Sequence, residues 1–313
     1  MVSIGYFLSC EEFGPRELVG QARLAADAGF ERLWISDHFH PWLDAQGQSP
    51  FVWSVIGALS EAVDLPVTTA VTCPTVRIHP AVLAQASATA AVQTGGRFTL
   101  GVGSGEALNE HILGDAWPEA DVRLEMLAEA VEVIRLLHSG GRHSHRGRHY
   151  TVENARVYTL PDQPPPIAVS AFGPKAAEVA ARIGDGFVSV NPDAELLARY
   201  REAGGTGPAQ GGFKVCHAPT EEQGRAIAHR TWPNEGLPGE LAQVLPEPEH
   251  FAQASTLVTR DMLTQPVGPD PRPYVDAVRA FTDAGFDQVH VAQIGPHQEE
   301  FFRFWQNEVA PRL

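Results

Sequence analysis

Asp37, His38, His40 and Trp42 follow directly on the apolar run Leu33-Trp34-Ile35. An acid, two imidazoles and an indole placed where a buried run stops are a costly set to keep for packing alone. Imidazole titrates near neutrality, so a positioned histidine can take a proton from a hydroxyl group. A second group, Gly101-Val-Gly-Ser-Gly-Glu106-Ala-Leu-Asn109-Glu110, also puts a carboxylate and an amide just past an apolar run. Glu11 and Glu12 do the same after Ser3–Ser9. Thr72-Cys73-Pro74-Thr75 closes a further run, and Gly173-Pro174-Lys175 reads as a helix entrance, where free N–H groups face anions.

These groups need elements that bring them together. β-formers alternate with helical spacing along the whole chain, and eight strands are expected: 3–9, 31–37, 66–73, 97–103, 166–171, 186–190, 212–216 and 288–293. Alternation of this kind specifies a parallel sheet. Eight units in 313 residues favour a closed (β/α)8 barrel, in which side chains just past the strand ends share one cavity. No G-x-G-x-x-G follows the first strand, which weakens an open doubly wound sheet. Gly101, Gly103 and Gly105 alternate, which either lets a flat group approach the backbone or reflects a tight barrel interior. We expect one domain over 1–313 with two insertions: a surface hairpin at 142–160, and a proline-rich stretch at 233–273 that covers one face. Between residue 216 and the helix starting at Tyr274 the chain reads as irregular.

Composition narrows the function. Net charge is −15, which argues against nucleic acid and anionic membrane surfaces. Cys10, Cys73 and Cys216 lie far apart, so neither a metal set nor a disulfide framework is indicated, and a cytoplasmic home is expected. His138, His143, His145 and His149 match no metal template and read as a solvated surface. No nucleophile elbow, catalytic-cysteine signature or Walker sequence occurs.

Several longer stretches carry a resemblance. Ser-Asp-His-Phe-His-Pro-Trp (36–42), Gln-Ser-Pro-Phe-Val-Trp-Ser (48–54), Gly-Ser-Gly-Glu-Ala-Leu-Asn-Glu-His (103–111) and Ala-Trp-Pro (116–118) are joined by Gly147-Arg-His-Tyr150, Tyr158-Thr-Leu-Pro161 and Gln298-Glu-Glu-Phe-Phe302. Together they resemble the luciferase-like, coenzyme F420-dependent oxidoreductases of the glucose-6-phosphate dehydrogenase branch. The resemblance implies a TIM barrel, commonly dimeric, that moves a hydride between an alcohol or carbonyl substrate and the deazaflavin. FMN-dependent monooxygenases of the same superfamily are the alternative. It implies catalytic roles for His38 as base, Trp42 beside the substrate, Glu106 near the ring and Glu11 in the pocket. It implies cofactor contacts from Asp37, Ala70, Val71, Cys73, Glu106, Asn109, Gly173, Pro174 and Lys175, with Ala70-Val71 at a bulged cis peptide. Asp193, Gln253 and Gln265 stand where the sugar-phosphate enzymes carry basic residues. With only Lys175 and Lys214 in the chain, a strong phosphate clamp is not expected.

Overall fold

The computed structural model describes residues 2–313. Its strands are β1 (Ser3–Leu8), β2 (Arg32–Ile35), β3 (Val67–Thr69), β4 (Phe98–Val102), β5 (His143–Arg146), β6 (Thr151–Ala155), β7 (Ile167–Ser170), β8 (Gly186–Ser189), β9 (Ala209–Val215) and β10 (Gln288–Gln293). Eight of them close a barrel in the order β1-β10-β9-β8-β7-β4-β3-β2, and β5 and β6 form a separate two-stranded sheet. Every barrel pairing is parallel; closure comes from β1, which pairs with β2 (Gly5 opposite Arg32) and with β10 (Ser3 opposite Gln288). This is the (β/α)8 barrel expected from the alternation.

The strands read as continuous apolar runs because both faces are covered. Outside, helices such as Pro15–Asp27, Pro80–Gln93 and Arg272–Asp283 bury Leu18, Leu83 and Phe281. Inside, Phe7, Trp34, Ala168, Val188 and Ala292 fill the cross-section. His290 stacks on Trp34 at 4.2 Å. Burial pushes that imidazole down to about 3, so it is a neutral packing element. Gly5 and Gly212 make room for this stack: a Cβ on Gly5 would overlap the His290 ring, and one on Gly212 the Trp34 indole.

The hairpin expected at 142–160 is β5–β6, an antiparallel pair. Its turn is fastened by Glu129 on helix Ala120–His138, whose carboxylate accepts the main-chain N–H groups of Arg148, His149 and Tyr150. The nearby histidines are therefore not a solvated surface. His138 is buried against Ala84 and Ser87, and His145 contacts Glu129 at 3.1 Å. Among the described residues no group of histidine, cysteine and carboxylate side chains could hold a metal ion, and no helix is long and apolar enough to cross a membrane.

One more expectation needs correction, and one open reading is decided in part. The stretch read as irregular contains a helix, Glu221–Thr231, capped by the Thr220 side chain, which accepts from Gln223 N–H at 3.2 Å. Its apolar periodicity is thin, since only Gly224, Ile227 and Ala228 are buried; the cap followed by two glutamates was the usable signal. The alternating glycines of β4 are also explained inside the barrel. A Cβ on Gly101 would overlap the Thr69 carbonyl, and one on Gly103 would lie 2.7 Å from Val71 Cγ2.

Residues 233–273 cover the carboxyl ends of the strands. Helix Pro248–Ser255 sends Phe251 into a small apolar cluster with Leu43 and Leu108, against which Trp42 packs. Trp232, Val258 and Leu263 form another with Cys216 and Ile294. The insertion is docked on the loops after β2 and β4, which carry the candidate site.

Candidate active site

His38 lies in the loop after β2. Its Nε2 is 3.5 Å from Glu11 Oε1, beyond β1, and 3.7 Å from Glu106 Oε2, beyond β4. Three separate loops thus deliver the groups singled out in the sequence to one point. Glu11 is 5 % exposed, His38 10 % and Glu106 29 %, so the imidazole sits at the inner end of an opening rather than in the core.

The two carboxylates differ. Burial works against ionised Glu11, but the facing His38, the Ser36 hydroxyl and the Lys214 charge outweigh it and leave its carboxyl below the ordinary range. Ser9 and Ser36 both donate to Glu11 Oε2, at 2.8 and 2.7 Å. Burial dominates at Glu106 and raises it, against partial opposition from His38 and Asn109. One histidine is therefore flanked by two carboxyl groups shifted in opposite directions, Glu11 down and Glu106 up, an arrangement suited to proton transfer.

Asn109 fixes the histidine loop. Its Oδ1 accepts from Phe39 N–H at 2.8 Å and His40 N–H at 3.2 Å. Its Nδ2 is consequently the end that faces Glu106 Oε2 at 3.2 Å and His38 Nδ1 at 3.1 Å. His38 Nδ1 also lies 3.1 Å from the His40 carbonyl. The carbonyl only accepts and the Asn109 amide nitrogen only donates, so Nδ1 faces one partner suited to each of its two protonation forms. Nε2 faces the two carboxyl groups. Trp42 walls one side, its ring 5.0 Å from His38 and 5.1 Å from Phe251.

The other predicted residues divide. The Ala70–Val71 peptide is cis, as the resemblance implied. Both residues are partly exposed apolar surface resting on the Phe7–Trp34 layer. Asp37 is not open to a ligand through its side chain: it is 1 % exposed, Thr72 donates to Oδ2 at 2.7 Å, and Arg77 Nη2 to Oδ1 at 3.0 Å. Cys73 is buried, and burial together with Glu110 and Glu106 pushes its thiol up, so it is an inert packing group. Glu12 spends both oxygens on Trp232 Nε1–H and Gly295 N–H, at 2.8 and 2.6 Å.

Gly173 and Pro174 open helix Pro174–Ile183. Nothing lies within 4 Å of where a Gly173 Cβ would stand, so the helix entrance is accessible. Lys175 is 75 % exposed and paired with Asp121 at 2.9 Å. Of the three positions compared with the sugar-phosphate enzymes, Gln265 lines a cavity. Asp193 instead caps helix Ala194–Glu202, and Gln253 is exposed beside Glu249. Sequence reasoning did not single out Ser9, Arg77 or Phe251, and it placed Ser36 and Thr72 at strand ends without giving either a role. The two serines had one usable signal, their place at the carboxyl ends of β1 and β2; Arg77 had none.

These groups fit a flat, anionic-tailed cofactor. Ala70 and Val71 offer an apolar shelf, Glu106 a carboxyl able to donate or hold a proton, and the free helix entrance at Gly173 a place for negative charge.

Comparison with known proteins agrees. The luciferase-like monooxygenase family matches residues 2–288. A protein of Microbacterium testaceum named F420-dependent glucose-6-phosphate dehydrogenase is 34 % identical, over 99 % of this chain and 96 % of its own. An F420-dependent hydroxymycolic acid dehydrogenase of Mycobacterium tuberculosis is 35 % identical, over 99 % of this chain and 88 % of its own. Among solved structures, an F420-dependent secondary alcohol dehydrogenase holding an F420-acetone adduct superposes with a TM-score of 0.91 at 28 % identity, covering 99 % of this chain and 98 % of that one. With its barrel, its His38–Glu11–Glu106 cluster and these full-length matches, the chain belongs to the luciferase-like monooxygenase family, in its branch of F420-dependent dehydrogenases.

Proposed function

We propose that this protein is an F420-dependent dehydrogenase of a neutral alcohol, or a reductase of the matching carbonyl compound. The observation that carries the reading is His38 Nε2, held between Glu11 and Glu106. When bound, F420 supplies the carbon that takes or gives the hydride. Ala70 and Val71 would hold its ring, and the Gly173–Pro174 helix entrance its anionic tail. His38 Nε2 takes the proton of the substrate hydroxyl, and Glu11 stabilises the imidazolium that results. Ser9 and Ser36 aim Glu11 by donating to it, while Trp42 and Phe251 exclude water from the proton-accepting side.

Titrating the purified protein with F420 and with FMN while following tryptophan fluorescence tests the cofactor. F420 is expected to bind in the micromolar range or tighter, about −8 kcal/mol, and FMN far more weakly. Tight co-purification of FMN without F420 binding would sink the reading.

The substrate class rests on charge. A cavity of about 320 Å3 includes Phe7, Asn191, Lys214, Glu235, Thr264 and Gln265 in its lining; His38, Glu11 and Glu106 do not line it, and Lys214, whose charge acts on Glu11, links it to their cluster. Its one cation is already committed: Lys214 Nζ is 2.8 Å from Glu235 Oε1 and 4.2 Å from the Trp232 ring centre. An anionic substrate would meet a neutralised lysine and the nearby Glu11. Glucose 6-phosphate should therefore be turned over with a kcat/KM at least about tenfold below the best neutral alcohol, a gap of about 1.4 kcal/mol in transition-state binding. Glu235→Gln, which frees the lysine, should narrow that gap. A wild-type value for the sugar phosphate within tenfold of the best alcohol refutes the assignment. A homodimer is also proposed, on the family resemblance alone, and sedimentation equilibrium decides it.

A further inference from the structure

We infer that Arg77 is a positioning residue that sets the spacing of His38 and Asn109 by clamping the carboxylates adjacent to each. Asp37 immediately precedes His38, and Glu110 immediately follows Asn109. Arg77, in the loop after β3, reaches both. Its Nη2 donates to Asp37 Oδ1 at 3.0 Å, its main-chain N–H to Glu110 Oε2 at 2.6 Å, and its Nε faces Glu110 Oε1 at 3.6 Å. The Val76 N–H adds a bond to Glu110 at 3.2 Å, and Thr72 one to Asp37 at 2.7 Å.

The clamp is buried. The side chains of Arg77, Asp37 and Glu110 are 7 %, 1 % and 0 % exposed. In such surroundings the guanidinium cannot be released to solvent, and its planar fork fixes direction as well as charge. Its own loop is anchored from outside, since Tyr150 of the hairpin donates to the Pro74 and Thr75 carbonyls at 3.1 and 2.8 Å. Three loops that are far apart in sequence thus meet at Arg77, whose guanidinium bonds Asp37 and whose main-chain N–H, with that of Val76, bonds Glu110 beside the guanidinium charge. The lock lies one residue away from the Asn109 amide that bonds Phe39 and His40 and faces His38. Moving either carboxylate moves the histidine or the amide with it. Arg77 has no proposed contact with substrate or cofactor, so its effect on the reaction passes through the His38–Asn109–Glu106 geometry.

This inference rests on the dehydrogenase reading, and its test separates the two. Two variants are compared with the wild type: Arg77→Lys, which keeps the charge and loses the fork, and the triple variant Asp37→Asn, Arg77→Met, Glu110→Gln, which leaves no unpaired charge buried. In the cofactor-free protein, the NMR signals of the His38 imidazole and the Asn109 side-chain amide should move toward random-coil positions. In the loaded enzyme, kcat should fall about tenfold or more, with KM for the alcohol within about threefold, and the pH profile of kcat/KM should change shape. The barrel should still melt cooperatively. Unchanged His38 and Asn109 signals with wild-type kcat in either folded variant overturn the inference. Loss of the fold in both overturns it as well, because Arg77 would then hold the barrel rather than the site. Failure of wild-type protein to bind F420 would instead count against the dehydrogenase reading and leave the signals of the cofactor-free protein to judge the clamp.

Discussion

Replacing His38 with alanine is expected to lower kcat by about 10²-fold or more while F420 affinity stays within about threefold. The imidazole is placed for the substrate's proton, not for the ring. Its Nδ1 is occupied by the His40 carbonyl and its Nε2 opens between Glu11 and Glu106. The surfaces proposed to hold the cofactor, Ala70–Val71 and the Gly173 entrance, are built on β3 and on helix Pro174–Ile183 and do not need the imidazole. Removing the ring also leaves the loop anchored. Asn109 still accepts from Phe39 and His40 N–H, and Ser49 Oγ still donates to the main-chain carbonyl of residue 38 at 2.7 Å. Stopped-flow reduction of F420 and a fluorescence titration would measure the two quantities separately. If the variant unfolds and loses F420, and whatever protein survives turns over at the wild-type rate, His38 is a structural histidine and the proton-transfer assignment is wrong.

The parts legible in the sequence were those with a local signature. Strands ending in Asp37-His38, in Gly105-Glu106 and before Glu11 announce themselves by an abrupt change from apolar to ionisable residues. The barrel then dictates that such ends share a mouth. The cis peptide at Ala70–Val71 came through resemblance, because nothing in two small apolar residues specifies it. What stayed hidden were roles created by tertiary contact. Asp37 looks like a site acid in the sequence, yet Thr72 and Arg77 turn its carboxylate inward. The glycines at the end of β4 left a cofactor cradle and a tight interior equally open in the sequence, and Thr69 and Val71 account for Gly101 and Gly103. Ser9 and Ser36 look like strand-end spacers, yet both donate to Glu11, and Ser36 joins His38 in holding its carboxyl below the ordinary range. In each case the deciding partner lies on another loop, at a separation that periodicity and caps do not encode.

Glu106→Gln separates charge from shape at the other side of the histidine. The amide can occupy the same space and keep a contact with Asn109, but it can neither hold nor release a proton. Turnover is expected to fall about tenfold or more, with a changed pH profile rather than a uniform loss. An ionised carboxylate near an imidazole favours its charged form, so removing it should shift the acid limb of kcat/KM to lower pH. Stability should move in the opposite sense to activity. Burial raises the Glu106 carboxyl in the folded protein, so the native state keeps this proton after the unfolded chain has lost it. Between the two values, rising pH therefore costs stability. Glutamine carries no such linkage, and the Tm of the variant relative to wild type should increase from acid to neutral pH. Glu11, whose carboxyl is lowered, has the reverse linkage, and a Glu11→Gln protein should lose ground to wild type over the same range. Melting curves across pH, paired with kcat/KM profiles, check all of this. A Glu106→Gln enzyme with wild-type turnover and an unshifted acid limb would remove Glu106 from the proton path and leave Glu11 as the only carboxylate acting on His38.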